Sequence, residues 1–235
     1  MIGLPKEMKE FGVWLNPRSL AAFNKMEILR LAKNAWTSMA PTLSDELMTH
    51  LSEGLLETEE DQAQFALRLY FYQLRLHQSI SLDLRRSRFQ YDKCWRFKGQ
   101  TLAHAFDVDT VDALMETYRI FYTEPGASLL PSLKKMNLVP DHWSAEQEHG
   151  LENIFEAHFD QGSSGKMKFE FSQLLQSFTK IFQFIHSNKG KVPSEFAMLG
   201  VYLSSLYMNL ETVSCELDVK AAYQVATSES LEPQR

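Results

Sequence analysis

Apolar residues recur at intervals of three and four along most of the chain, and this spacing constrains the fold more than any other feature. Residues three or four positions apart lie on the same face of an α-helix, so the spacing predicts helices with a buried stripe. Between residues 58 and 79 the stripe consists of Phe65, Leu69, Tyr72 and Leu76, and it is widened by Leu67, Tyr70, Phe71 and Leu74. Because this stripe covers much of the helix surface, we expect the helix to lie at the centre of the fold.

Signals for helix starts and ends divide the chain into a series of helices. Ser144 followed by Gln147 forms a capping box, and Asp218 is a side chain typical of a helix start. The Asn-Lys-Gly sequence at residues 188–190 is typical of a helix end. The predicted helices span about residues 17–40, 44–57, 58–79, 107–122, 128–137, 144–159, 171–187, 193–216 and 218–226.

Residues 80–100 depart from the helical spacing. Their apolar side chains alternate in three short runs: Ile80, Leu82 and Leu84; Phe89 and Tyr91; Trp95 and Phe97. A period of two is typical of extended chain or a short hairpin, and an irregular helix is the alternative. Glycine and proline number only 10 and 8, which argues against an all-β fold with many tight turns.

The fold class that these patterns predict is all-α. We expect a compact bundle of about seven to nine helices, with one irregular or short extended segment near residues 80–100. Residues 1–226 are expected to form a single helical domain, with a subdivision near residues 100–108 as the alternative. The polar residues 227–235 are expected to form a disordered tail.

Charge and composition narrow the function classes. The formal net charge is −6, and an acidic chain as a whole repels polyphosphate, so we do not expect nucleic acid as a partner. Cys94 and Cys215 stand far apart and form no metal-binding pair, which predicts reduced thiols in a cytoplasmic protein. The longest apolar run, residues 196–210, is shorter than the roughly 20 residues that cross a bilayer, so no transmembrane span is expected.

A basic, aromatic segment stands out from this acidic background. Its candidate anion-binding residues are Arg85, Arg86, Arg88, Arg96 and Lys98, and its candidate stacking residues are Tyr91 and Trp95. Guanidinium groups bind phosphate or carboxylate through paired hydrogen bonds, and aromatic rings can stack on a base or head group. In the alternative interpretation, the arginines pair with acidic helix faces such as residues 57–61 while the aromatic rings join the core.

Two further groups have some features of metal sites but lack essential ligands. Residues 160–171 resemble an EF-hand loop that begins at Asp160, but Gly162 and Phe171 occupy ligand positions 3 and 12. Glu146 and His149 have the spacing found in di-iron carboxylate bundles, with Glu152 and Glu156 nearby on the same helix, but no second copy exists. We therefore predict no metal, no cofactor and no catalytic residue.

Five stretches of the C-terminal half form a recognisable series. They read LVPD at residues 138–141, IFE at 154–156, FEFSQLL at 169–175, VPSEFAML at 192–199 and LD at 217–218. In order and spacing, residues 111–223 resemble the helical region that follows the kinase-like core of the UbiB/AarF atypical kinase family. The catalytic motifs of that family are missing, since Lys98-Gly99-Gln100 lacks the spacer of its K-x-G-Q loop. The resemblance implies a setting in quinone and lipid metabolism near membranes, without phosphoryl transfer.

Three function classes follow from the sequence. The first is a non-catalytic helical interaction or regulatory protein, connected with quinone or lipid metabolism and acting through a protein partner. The second is a protein that binds a small apolar or anionic ligand, or a lipid head group, in an apolar pocket with a basic rim. The 16 phenylalanines and 10 methionines favour such an adaptable pocket, and peripheral membrane contact fits both classes. The third is a metal-dependent helical enzyme.

Overall fold

The computed structural model describes residues 43–77, 79–81, 83–98, 103–124, 126–159 and 165–228. Its helices are α1 (Asp45–Leu51), α2 (Glu59–His77), α3 (Val108–Thr123), α4 (Leu130–Lys135), α5 (Ala145–Phe159), α6 (Phe171–Ser187), α7 (Ser194–Leu210) and α8 (Val219–Ala226). Its strands are β1 (Ser79–Ser81), β2 (Phe89–Asp92), β3 (Cys94–Phe97), β4 (Ala103–Ala105), β5 (Lys166–Met167) and β6 (Leu217–Asp218). A single 3₁₀ turn in these ranges, Arg86–Arg88, precedes β2.

The strands form three antiparallel pairs, so the fold is mostly α rather than all-α. Strands β2 and β3 make a hairpin in which Phe89 lies opposite Phe97, and this is the extended chain predicted near residues 80–100. Strand β1 pairs with β4, and β5 pairs with β6. The sequence did not predict these two pairs. Each strand is only two or three residues long, which is too short for a periodic pattern, and β5 and β6 are far apart along the chain.

Helix α2 is the centre of the described fold, as its wide apolar stripe predicts. Between residues 65 and 74 every side chain is buried except Arg68, which is half-exposed. The helix contacts α1, α3, α7 and α8 as well as strands β1 and β6. A helix that is buried on all sides must be surrounded by other elements, so the remaining helices are arranged around it.

Polar contacts attach the last helix to α2. The side chain of Gln64 donates a hydrogen bond to the carbonyl of Asp218 (2.6 Å) and accepts one from its backbone N–H (3.2 Å). In the last turn of α2, Arg75 donates to the carbonyl oxygens of Ala226, the last residue of α8, and of Ser228 just beyond it. These contacts satisfy backbone groups that the ends of β6 and α8 would otherwise leave without partners.

The predicted helix caps are confirmed. Ser144 Oγ accepts from the Gln147 N–H (3.3 Å), while the Gln147 side chain accepts from the Ser144 N–H (2.9 Å), which is the reciprocal pattern of a capping box. Asp218 accepts from the N–H of Ala221 at 2.8 Å. These caps depend on residues close together in sequence, which is why local reasoning finds them.

The end of α6 is also where the sequence indicates. Lys189 takes a left-handed conformation with φ of 59°, and the Gly190 N–H donates to the Ile185 carbonyl at 2.8 Å. A β-carbon at position 190 would lie 2.8 Å from Ile185 and 3.0 Å from the Trp143 ring. Glycine is therefore required at this position by the close approach of the neighbouring side chains.

Two helices are shorter than predicted. Helix α1 ends at Leu51 rather than near residue 57, because Arg68 donates to the carbonyls of Leu51 and Glu53, and Gly54 turns the chain with φ of 75°. Helix α7 ends at Leu210 rather than near residue 216, and Thr212 Oγ1 donates to the Asn209 carbonyl there. The helix predicted at 17–40 and the tail residues 229–235 lie outside the described residues.

Close packing between α6 and α7 depends on Gly200. The ring of Phe178 from α6 stacks on Phe196 of α7 at a centroid distance of 5.3 Å. A β-carbon on Gly200 would lie 2.6 Å from that ring, which is nearer than any stable contact. Phe178 is buried beside Phe182 as well, so it has little freedom to move aside.

We expect Gly200→Ala to lower the free energy of unfolding by about 1–3 kcal/mol, because the added methyl group overpacks this contact. Urea denaturation measures the change. A second substitution, Phe178→Leu, makes room for the methyl group, so the double variant is expected to lose less stability than the sum of the single variants. Additive losses would show that the contact with Phe178 is not the cause.

Candidate functional site

The arginines of the basic segment have carboxylate partners within the chain. Both Arg85 and Arg88 donate to Asp83, with Nε to carboxylate distances of 2.7 Å. Arg86 pairs with Glu59 at 2.5 Å, and Arg96 pairs with Asp45. Glu59 belongs to the acidic face at residues 57–61 that the alternative interpretation named.

Asp83 is the focus of this network. Burial by itself would raise the pKa of its carboxyl, but hydrogen bonds from Arg85 and Arg88 outweigh that effect and hold the pKa at about 2. A carboxylate that accepts several charged hydrogen bonds remains ionised far into acid. The network therefore fixes the 3₁₀ turn Arg86–Arg88 immediately before the hairpin.

The aromatic candidates of this segment lie against the protein itself. Trp95 is buried, and its indole N–H donates to the carbonyl of Leu56 at 2.8 Å. Tyr91 is half-buried, with its ring 5.3 Å from that of Trp95. Lys98 is exposed, and its backbone N–H donates to the carbonyl of Arg88 at 2.6 Å. Anion binding by this segment stays a prediction, while the counter-charges for its arginines come from the chain.

The acidic helix face around Glu152 has a capping role in the structure. Glu152 is buried on α5, and one carboxylate oxygen accepts from the Ser128 hydroxyl (2.5 Å) and the Leu129 N–H (2.7 Å) just before α4. The other oxygen lies 3.1 Å from His149 Nδ1. Although burial alone would raise the pKa of Glu152, these hydrogen bonds lower it below its usual value.

The other metal candidates gain no ligands from the described residues. Glu146 and Glu156 are exposed on α5, and the EF-hand-like residues 160–164 lie outside the described ranges. Within those ranges no three His, Cys, Asp or Glu side chains come together in a way that could hold a metal ion. Cys94 and Cys215 are free and partly buried.

A cavity of about 50 Å³ lies among α2, α3, α5, α7, α8 and β5, and it is partly open to solvent. It is lined by Leu67, Tyr70, Phe71, Tyr118, Tyr122, His158, Met167, Phe169, Leu203, Leu206, Tyr207 and Val219. Sequence reasoning missed this site. The only signal was the set of tyrosines on apolar stripes, such as Tyr118 and Tyr122 on one face of α3, and ordinary core packing gives the same pattern.

Tyrosine hydroxyl groups gather at this cavity. Those of Tyr70 and Tyr118 share a hydrogen bond of 2.9 Å. Tyr122 and Tyr207 are 7% and 6% exposed, and their hydroxyls make no hydrogen bond to another described residue, but neither hydroxyl is fully buried. Burial raises the pKa of all four phenols, that of Tyr118 to about 12, so they keep their protons at neutral pH.

Among the described residues, the cavity wall carries no formal charge near neutral pH. His158 is its only residue that could become a cation, and burial lowers the pKa of its imidazole to about 4. The remaining lining residues are apolar or phenolic. This site therefore offers neutral hydrogen-bonding groups within an apolar surface.

Comparison with known proteins finds no matching family model, curated protein or solved structure. The resemblance to the UbiB/AarF family thus stays a prediction. In the described part of the chain, no helix is both long enough and apolar enough to cross a membrane.

We expect Asp83→Asn to lower the free energy of unfolding at pH 7 by about 1–2 kcal/mol, because charged hydrogen bonds from two arginines are lost. The folded-state pKa of Asp83 lies below its ordinary value near 4. The stabilisation is therefore fully present above about pH 4 and is lost as the pH falls toward 2.

Urea denaturation from pH 7 down to pH 3 checks this expectation. The gap in stability between the original protein and the variant should narrow as the pH falls. Asp92→Asn, at an exposed position on the same hairpin, is the control and should change stability little. A gap of constant size across this pH range would mean that the Asp83 charge is not the stabilising feature.

Proposed function

We propose that this protein is a non-catalytic binding protein that holds a small uncharged molecule in the tyrosine-lined cavity. One observation carries the proposal: four tyrosines, Tyr70, Tyr118, Tyr122 and Tyr207, line an otherwise largely apolar, partly open cavity of about 50 Å³. A small molecule that packs against the apolar wall and hydrogen-bonds to tyrosine hydroxyls would stabilise the folded protein by binding to it.

The dimensions of the cavity limit what it can hold. A single water molecule needs about 10–15 Å³ on the scale used for such cavities, so 50 Å³ accommodates roughly three to five water-sized groups. A ligand of this size fits completely. A larger ligand would place only one end inside, with the rest extending through the open side of the cavity.

The described lining residues carry no charge that could pair with an ionic ligand. A carboxylate, phosphate or ammonium group would lose its hydration in the cavity without meeting an opposite charge on any described lining residue, which is unfavourable. The apolar side chains of Leu67, Leu203 and Leu206 favour a ligand with an apolar body. A small, uncharged molecule with at least one polar atom meets both requirements.

The tyrosine-lined cavity corresponds to the apolar pocket of the second function class, but its rim is not basic. None of the residues 85–98 lines this cavity, so hydroxyl groups take the place of the basic rim. Action through a protein partner, and a connection with quinone and lipid metabolism through the UbiB/AarF resemblance, remain predictions. No observation on the described residues favours the metal-dependent enzyme, and we propose the binding function alone.

Nuclear magnetic resonance of methyl-labelled leucine and valine tests the proposal. The probes are 2-butanone, 2-butanol and 2-methyl-1-butene, which are uncharged and close to the cavity in size. We expect at least one probe to cause saturable shifts of the methyl groups of Leu67, Leu203, Leu206 and Val219, with a dissociation constant in the millimolar range. If none of the three causes saturable shifts, the proposed function is wrong.

A cavity-filling variant provides the control. Leu203→Phe places a larger side chain in the cavity and is expected to abolish the shifts caused by every probe. Leu55→Phe makes the same change at a half-buried position that does not line the cavity, and binding should persist. The methyl spectrum far from the cavity shows whether each variant is folded. Binding that survives in folded Leu203→Phe would place the probes elsewhere.

A further inference from the structure

The hairpin of β2 and β3 has one edge that the described chain leaves uncovered. Strand β3 packs against α1, and on that side its Trp95 N–H donates to Ser52 Oγ at 2.6 Å. Strand β2 lies on the other side of β3, and among the described elements it makes extensive contact with β3 alone. The hairpin therefore has an inner edge at β3 and an outer edge at β2.

The hydrogen-bonding pattern of the hairpin shows which backbone groups point out from this edge. The Lys98 N–H donates to the Arg88 carbonyl at 2.6 Å, and from there hydrogen-bonded pairs alternate with non-bonded pairs along the two strands. Tyr91 lies opposite Trp95 in a non-bonded pair, so its N–H and carbonyl point away from β3. Neither group has a hydrogen-bond partner among the described residues.

These outward groups are sufficient to pair with another strand. The carbonyl of Phe89 points the same way as the groups of Tyr91, while the Phe89 N–H donates to the Arg86 carbonyl. An extended peptide beside β2 can accept from the Tyr91 N–H and donate to the carbonyls of Phe89 and Tyr91. Backbone pairing of this kind is a general mode of peptide recognition at an open sheet edge.

Positive charge surrounds this edge. Six basic side chains lie on the hairpin or just before it, and four carboxylates lie on the hairpin or pair with it, which leaves a net charge of +2 in a chain of net charge −6. The basic residues are Arg85, Arg86, Arg88, Lys93, Arg96 and Lys98, and the acidic residues are Asp45, Glu59, Asp83 and Asp92. Lys93 and Lys98 are exposed, and no described carboxylate pairs with either of them.

We propose that the outer edge of β2 binds an extended, acidic peptide segment of a partner protein as an additional strand. This inference is independent of the cavity, which no residue of the hairpin lines. Strand β2 has four residues, a length of about 13 Å. A peptide with acidic residues at both ends of such a stretch places them near Lys93 at one end and near the 3₁₀ turn Arg86–Arg88 at the other.

Charge disfavours two other occupants of this edge. Pairing with a second copy of the chain would bring two positively charged edges together, and like charges on neighbouring strands are destabilising. Residues 1–42 contain six basic and three acidic side chains, a net charge of +3, so that segment also lacks the complementary charge. An acidic peptide supplies both the backbone groups and the opposite charge.

Hydrogen exchange in the free protein gives the first test. The Gln90 amide belongs to a hydrogen-bonded pair with Arg96, so we expect the Tyr91 amide to exchange about tenfold faster than that of Gln90. Equal protection of the two amides at every protein concentration would show that the chain itself covers the edge. Protection of Tyr91 that rises with protein concentration would show pairing between two copies. Either result overturns the proposal.

Nuclear magnetic resonance of isotope-labelled protein tests binding directly. The probe is the peptide acetyl-EEVTVEE-amide, which has acidic ends and a β-branched centre. We expect a saturable shift of the Tyr91 amide, with a dissociation constant of about 0.1–1 mM. Methylation of the three central amide nitrogens removes the donors and should abolish that shift, and acetyl-KKVTVKK-amide should bind at least about fivefold more weakly.

The same spectra define the results that contradict the proposal. The absence of a shift of Tyr91 with the acidic peptide would show that the edge does not pair with it. A shift that persists with the methylated peptide, or shifts confined to lysine and arginine side chains, would show association through charge alone. In each case the proposed strand pairing is wrong.

A pair of lysine substitutions tests the contribution of charge. Asparagine tolerates the φ of 60° at Lys93, so Lys93→Asn with Lys98→Gln removes both unpaired charges, and we expect about fivefold weaker binding at low salt. The matched control is Lys189→Asn with Lys191→Gln, because both lysines are exposed between α6 and α7 and Lys189 has φ of 59°. The control should bind within about twofold of the original protein. Equal weakening in both double variants would mean that the net charge of the protein is responsible, and the hairpin would not be the binding site.

Discussion

The burial of helix α2 is the constraint on which the rest of the described structure depends. Along residues 65–74 only Arg68 retains partial exposure, so this helix cannot exist in water without a surrounding shell. Helices α3, α7 and α8 and strands β1 and β6 supply that shell. The tyrosine-lined cavity lies between α2 and three of these helices, α3, α7 and α8, and residues of α5 and β5 complete its wall.

Polar groups carried into this interior are accommodated in two different ways. Where the chain supplies partners, the group is structural: Glu152 accepts bonds near the start of α4, and Gln64 bonds to both backbone groups of Asp218. Where the described residues supply no hydrogen bond, as for the hydroxyls of Tyr122 and Tyr207 at the cavity, the group can bind a ligand or water. The position of these hydroxyls on a partly open cavity, within reach of a small molecule, is the physical basis of the proposed function.

The basic segment illustrates how a charge pattern can have a structural cause. Four closely spaced guanidinium groups repel one another, and the sequence indicates correctly that nearby negative charge is required. Asp83, Glu59 and Asp45 provide that charge from within the protein. The sequence could not choose between internal and external partners, because Asp45 and Arg96 become neighbours only when α1 packs against β3.

The sequence by itself determined the features that depend on neighbouring residues. These are the helical character of most of the described chain, the central position of α2, the capping box at Ser144 and Gln147, and the extended segment that forms the hairpin. Only the tertiary structure decided the pairing of β5 with β6, the early end of α1 and the grouping of Tyr70, Tyr118, Tyr122 and Tyr207. The reason is physical. Periodicity and capping act over a few residues, whereas a cavity and its hydrogen-bonding balance depend on side chains that packing brings together from distant parts of the chain.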